Sequence, residues 1–528
     1  MSCLGSEDQP VSTARRTPRL FLTTTVVTAV LAGCTAGPSV RPAVIDNDGK
    51  PDPGGQTTAQ QVPLPPLAEP RSPSIKWEDC DEATRQRLGQ PSVPDTLKFS
   101  CARVPTTLDA PDLPGRGLSR LSVVKTEGGP IPLVVVNDVD GEPGSLYAAR
   151  LAATLPPEFL RKFSLIGVDR RGTGTSMPVQ CIPAEIRTDL LGADPAAADL
   201  EGVVDAARRA GQQCAIELDD AQVAMDSWRA AGDLEELREQ LGLDKLHALG
   251  RGDGSKVLAE YAVRFPAQVG RVMLDGLPDP APDAAATQEA VAASAQATLD
   301  AFGADCIARG CPIGDARSAV TAVADRLRSA SATTTDGEEI TPGIALYAIY
   351  SGLAQRSRWV ELAEALKTAQ NGDITPLAAF AEPVLKDTKA RPSRLDGTLA
   401  TKCNDSATRL SAEELTRATT TLRDKYPQFG VFAAQQLAWC SPWPVRREPL
   451  PPAGAPGAPP ILVAGTATDP VTPEQGTGRA ADQMPSAVTI TWQGAGHGAL
   501  SLSPCVTDAT RAFLIDGKVP VDGTLCPA

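Results

Sequence analysis

Lys245-Leu-His-Ala-Leu-Gly250-Arg-Gly252-Asp-Gly254-Ser-Lys-Val-Leu-Ala-Glu260-Tyr-Ala-Val-Arg-Phe265 reads as strand, turn and helix in immediate succession. Lys245–Leu249 is a short strand, and Gly254–Phe265 has helical spacing. Between them glycines alternate at 250, 252 and 254, as a turn too tight for side chains requires. A further apolar run, Val269–Leu274, follows the helix. Strand, helix and strand in this order build a parallel sheet.

The same rhythm extends upstream. Leu97–Leu108 and Leu118–Lys125 read as strands. Ile131-Pro-Leu-Val-Val-Val136 is a continuous apolar run, expected of a strand buried on both faces. Ser145–Phe163 has helical spacing and Phe163–Val168 is another buried strand. Ala196–Leu243 is largely helical, with Asp233 as the expected N-cap and Glu236 three residues on. The alternation stops near Pro278. Residues 279–445 read as helical and Ala-rich, and strand and helix signals return at Pro460–Ala464, Ala487–Trp492 and Val506–Leu514. No internal repeat is found. The expected fold class is α/β: the α/β-hydrolase fold, a mostly parallel, doubly wound sheet (75–278 and 446–528) split by a helical lid (279–445).

Three segments carry chemistry. Asp469-Pro-Val-Thr-Pro473 follows one apolar strand, and Gly494-Ala-Gly-His497-Gly498 follows the next. An acid and a histidine so placed suit a pair in which the carboxylate orients the imidazole and stabilises its charged form. The chain order of nucleophile, acid and histidine is that of α/β-hydrolases, whose nucleophile stands in a Gly-x-Ser-x-Gly elbow. Here the flanking glycines 250 and 254 are in register, and the central residue is Gly252.

These motifs make the chain resemble the secreted tripeptidyl aminopeptidase-like α/β-hydrolases, a group of serine peptidases. The resemblance rests on Val168-Asp-Arg-Arg-Gly-Thr-Gly-Thr-Ser176, Glu260-Tyr-Ala-Val-Arg-Phe-Pro266 with Val272-Met-Leu-Asp-Gly276, Asp469-Pro-Val-Thr-Pro473, Gly496-His497-Gly498 and Leu514-Ile-Asp-Gly-Lys-Val-Pro520. It spans about residues 75–528 and implies Asp469 and His497 as acid and base. The departures fall on the chemistry. Gly252 stands where the family has serine, and Asp253 where it usually has an aromatic. The family's oxyanion loop reads Gly-Gly-Pro-Gly. Here either Asp138-Val-Asp-Gly141 replaces it directly, or Gly141-Glu142-Pro-Gly144 matches it after a short insertion; the second fits more letters. Both put carboxylates where an oxyanion would need donors.

No other residue replaces the nucleophile well. Ser255 lies a turn below the elbow and points away from it, and Asp253 as nucleophile would need glycines where Arg251 and Ser255 stand. His247 is mid-strand and reads as a core residue. The first reading is therefore a non-catalytic pseudo-hydrolase binding peptide or acyl ligands. An active peptidase or esterase with rearranged chemistry is the alternative, and a structural envelope lipoprotein the third reading.

The N-terminus bears on location. Arg15, Arg16 and Arg19 precede an apolar run, Leu20–Ala32, too short to span a bilayer, and then Leu31-Ala-Gly-Cys34. This resembles a bacterial lipoprotein box, implying lipid on Cys34 and residues 1–34 as signal. An ordinary secretory signal is the other reading. Residues 35–74 are Pro/Gly/Gln/Asp-rich and read as a disordered tether. Of twelve cysteines, Cys3 precedes the signal and Cys34 is the lipid candidate. The remaining ten suggest disulfides in an exported chain. Spacing leaves connectivity open; sequential pairing is the expectation: Cys80–Cys101, Cys181–Cys214, Cys306–Cys311, Cys403–Cys440 and Cys505–Cys526. With only two histidines and no C-x-x-C pair, a zinc site is not expected, nor is any cofactor. A net charge of −14 argues against nucleic acid as a partner. It also argues against charge-driven docking on anionic lipid, leaving the lipid anchor as the expected membrane contact.

Overall fold

The computed structural model describes residues 62–90, 93–110, 113–197, 199–444 and 454–528. The signal, Cys34, residues 35–61 of the tether and the 445/446 boundary lie outside the described residues. Within them the strands are β1 (Glu78–Asp79), β2 (Phe99–Thr107), β3 (Leu118–Thr126), β4 (Ile131–Val136), β5 (Phe163–Asp169), β6 (Leu246–Arg251), β7 (Val269–Asp275), a small hairpin of β8 (Ala332–Thr333) and β9 (Glu339–Ile340), then β10 (Ile461–Thr468), β11 (Ala487–Ala495) and β12 (Thr524–Cys526). All but the hairpin form one sheet in the order β1-β2-β3-β5-β4-β6-β7-β10-β11-β12. Pairing is antiparallel from β1 to β5 and parallel from β5 onward.

The parallel strands are buried throughout β4, β5 and β7, because helices cover both faces and leave no side for polar residues. One face packs on α1 (Gly144–Thr154), burying Leu146, Ala149 and Leu151 with Leu133 and Val135 of β4. The other packs on α2 (Ser227–Gln240) and α3 (Asp253–Arg264), burying Leu234, Leu237, Val257 and Leu258 against Val134 and Val136. Each such aliphatic side chain contributes about 1.5–3 kcal/mol by leaving water. The inserted helices have their own core around Phe302, Trp359 and Phe429; among them α4 (Arg394–Asp405) lies over the site.

The chain runs from β4 outward to β5, then crosses back so that β6 lies on the other side of β4. Loops leaving β4 and β6 therefore diverge in opposite directions, opening the crevice in which α/β proteins bind ligands. The register pairs Val136 with Gly250. Two residues further on each chain, Asp138 and Gly252 meet.

The structure differs from the sequence reading in three places. Asp233 does not cap a helix: Asp226 caps α2, accepting from the Arg229 N–H. Asp233 is buried inside α2 and grips Arg171 at 2.7 Å and 2.8 Å, while Glu236 accepts from the Thr107 N–H. Ordered packing begins before Ile75: Leu64 and Leu67 lie against the core, and the Arg71 N–H donates to Gly242. The edge strands β1 and β12 carried no periodic signal. The five disulfides pair sequentially, as expected. Among the described residues no helix is long and apolar enough to cross a membrane.

Candidate functional site

Gly252 turns the chain from β6 into α3 at φ +51° and ψ −120°. That region strains any residue with a Cβ, which is why elbows are flanked by small residues. Gly254 is needed for approach: a Cβ there would strike the Val136 carbonyl. The turn thus has elbow geometry with glycine at its centre.

The space above Gly252 is occupied from across the sheet. A Cβ placed on Gly252 would land on Oδ1 of Asp138. This carboxylate is 6% exposed. Its Oδ1 accepts the Asp253 N–H at 2.9 Å, and its Oδ2 lies 2.9 Å from Nε2 of His497. The N–H following the nucleophile is an oxyanion-hole donor in this fold; here it is spent on Asp138.

His497 and Asp469 are together as the sequence pattern requires. Nδ1 of His497 lies 2.9 Å from Asp469 Oδ2. Asp469 is fixed by the N–H groups of Val471 and Thr472 and by the Thr472 hydroxyl. Arg251 donates to the His497 carbonyl at 2.9 Å. The inserted helices hold these loops: the His497 N–H donates to Ala354, Ser294 Oγ to the Asp469 carbonyl at 2.6 Å, and the Tyr350 hydroxyl to Pro470 at 2.9 Å.

Burial alone would lower the pKa of His497. The carboxylates of Asp469 and Asp138 outweigh it and raise it to about 10. Burial would likewise raise Asp138, but the charge and hydrogen bond of His497, with Arg251 and the Asp253 N–H, hold it well below the usual carboxylate range. At neutral pH the imidazolium is clamped between two carboxylates. It has no lone pair with which to act as a base.

The other expected site residues fall differently. Glu142 is turned away, bound by Arg150 at 2.6 Å, and its carbonyl accepts from Asn137; Gly141 is in the same turn. Of the acids in the two loop readings, Asp138 is the one that reaches the Asp253 N–H and His497. The Asp253 side chain faces Lys402 at 3.6 Å, and burial raises its pKa. Ser255 is fully buried below the elbow. His247 accepts the Arg271 N–H and is pushed down to about 4 by burial and by Arg271, as a core residue. Carboxylate oxygens of Asp138, Asp140 and Asp253 lie within 4.8 Å of one another, a geometry able to hold a cation. Lys402, 2.9 Å from Asp140, and the imidazolium of His497 already supply positive charge there.

Strand order and elbow define an α/β-hydrolase fold. Residues 426–526 match the family model described as TAP-like protein, and the chain is similar over most of its length to several hydrolases. The serine protease Hip1 of Mycobacterium tuberculosis is 27% identical over 486 residues, covering 87% of this chain and 92% of the relative. A carboxylesterase B of the same species is 28% identical over 494 residues, 89% and 92% of the two chains. The tripeptidyl aminopeptidase of Streptomyces lividans is 27% identical over 391 residues, 69% and 71%.

Proposed function

We propose that this protein is a pseudo-hydrolase that binds a peptide or acyl ligand beneath its lid without cleaving it. The observation that carries the reading is the position of Asp138. One carboxylate lies over the glycine that replaces the nucleophile, takes the oxyanion donor and keeps the base protonated. Acyl transfer needs a nucleophile, a free base and unoccupied donors, and Asp138 opposes all three. The related names, serine protease, aminopeptidase and carboxylesterase, indicate ligand classes that such a pocket descends from, and the lid above it suits a guest of that size.

The test is direct. The full chain treated with a fluorophosphonate probe and a p-nitrophenyl ester should show neither labelling nor turnover. Turnover abolished by His497→Ala would overturn the reading. Saturable thermal stabilisation by a short peptide or acyl compound separates a binder from a purely structural lipoprotein. The same proposal places the protein outside the cell, anchored through Cys34. Incorporation of an alkynyl fatty acid that disappears in Cys34→Ala checks this, and its absence in the unaltered chain would leave a secreted protein.

A further inference from the structure

A cavity of about 810 Å³ opens between the loop carrying Asp138 and the inserted helices, reaching Glu142, Arg150, Arg391 and Arg394. Its carboxylates already have partners. Asp138 is held by His497 at 2.9 Å, Glu142 by Arg150 at 2.6 Å, and Glu382 faces Lys386 at 3.7 Å. Several of its cations do too: Arg87 reaches Asp169 at 3.5 Å, and Lys386 pairs with Asp336.

Arg391 and Arg394 differ. Among the described residues neither guanidinium has a carboxylate at ion-pair distance or a hydrogen-bond acceptor. Arg391 is exposed at the mouth, and Arg394 is partly buried in the first turn of α4. Lys402, two turns further along α4, shows the contrast, being bound to Asp140 and Asp253. Burial lowers the pKa of Arg394 and outweighs the charges of Glu142 and Asp140, neither of which is at ion-pair distance.

We propose that this cavity binds a ligand through a carboxylate group received by Arg394, with Arg391 at the entrance. A guanidinium is a planar fork that matches a carboxylate at two points. A partly desolvated one lacking a partner gains most from such a guest. Leu88, Leu146, Pro178 and Pro383 supply apolar wall for the guest's hydrocarbon part. The ligand class is thus an acyl or peptide acid, docked by its anionic end. This deepens the pseudo-hydrolase reading and rests on it.

The experiment is calorimetric titration of the full chain at pH 7 with N-acetyl-Leu-Leu as free acid and as C-terminal amide, with inorganic phosphate as competitor. The acid should bind at least about tenfold more tightly than the amide, the usual worth of a charge-assisted contact. Arg394→Gln should remove that difference and leave the amide unchanged, while Arg394→Lys should keep part of it. Phosphate should compete with the acid only. Because the Arg394 side chain makes no hydrogen bond among the described residues, thermal unfolding of the variants should match the parent. Equal affinity for acid and amide, acid binding indifferent to Arg394→Gln, or no binding of either probe would overturn the anion site. Hydrolysis of the corresponding methyl ester would instead overturn the non-catalytic reading.

Discussion

Two buried charge clusters lie at opposite ends of the same logic. In one, Arg171 donates to both oxygens of Asp233 and to the carbonyls of Thr107, Leu108 and Ala224. In the other, His497 is held between Asp469 and Asp138. Both are almost fully buried and well bonded. The first ties β2, α2 and the loop after β5 together. The second sits at the switch point between β4 and β6, where the same charge satisfaction occupies the His497 imidazole and the Asp253 N–H; on the pseudo-hydrolase proposal, that keeps them from acting on a ligand.

Breaking the first cluster should cost most. Asp233→Ala leaves the Arg171 guanidinium buried without its counter-ion, and denaturant unfolding should show a loss of about 3–5 kcal/mol. Stability of the unaltered level would mean that the pair is not closed in solution.

The second cluster should respond to Asp138→Asn with a smaller loss, about 1.5–3 kcal/mol, because shape and one hydrogen bond survive. It should also respond to pH. His497 has its folded pKa raised, to about 10, so its contribution is complete below the unfolded value of about 6.5 and fades as pH rises toward 10. Asp138 has its folded pKa lowered, so its contribution is present above about pH 3.9 and is lost as pH falls through the depressed value. The clamp's contribution to stability is therefore complete between about pH 4 and 6.5 and declines above that, while the clamp itself stays charged toward pH 10. The chain has two histidines, so nitrogen NMR of the imidazoles reads it directly. One ring should stay charged to about pH 10, and the other, His247, should stay neutral down to about 4. Asp138→Asn should move only the first. Two rings titrating near 6.5 would remove the clamp.

Gly252→Ser should have the smallest effect on stability, about 1–3 kcal/mol from the positive φ and the collision with Asp138. It should also restore almost no esterase activity. Combined with Asp138→Gly, it should restore fluorophosphonate labelling, because nucleophile, base and donor are then released together. Strong labelling of the single variant would mean that Asp138 moves aside freely.

The sequence carried the sheet and the acid–histidine pair well, for a local reason. Strands such as Ile131–Val136 and Phe163–Val168 are continuous apolar runs, and Asp469 and His497 stand just past their strands. What failed was set by distant partners. Asp233 followed by Glu236 has the spacing of a cap, but Arg171 and Thr107 claim those carboxylates from elsewhere in the chain. Asp138 was visible as an acid in the oxyanion loop, yet letter matching favoured Gly141–Gly144. Only the pairing of Val136 with Gly250 shows which residue faces the elbow.

The complementarity of Gly252 and Asp138 has a historical consequence. Serine at 252 meets a carboxylate already in its place, and removal of Asp138 alone strands a charged imidazole above an unfilled hollow. Each change is penalised until the other is made. The two positions are therefore coupled in sequence space: on the pseudo-hydrolase proposal, a single step toward hydrolysis is uphill from either side, and the pair acts as a ratchet.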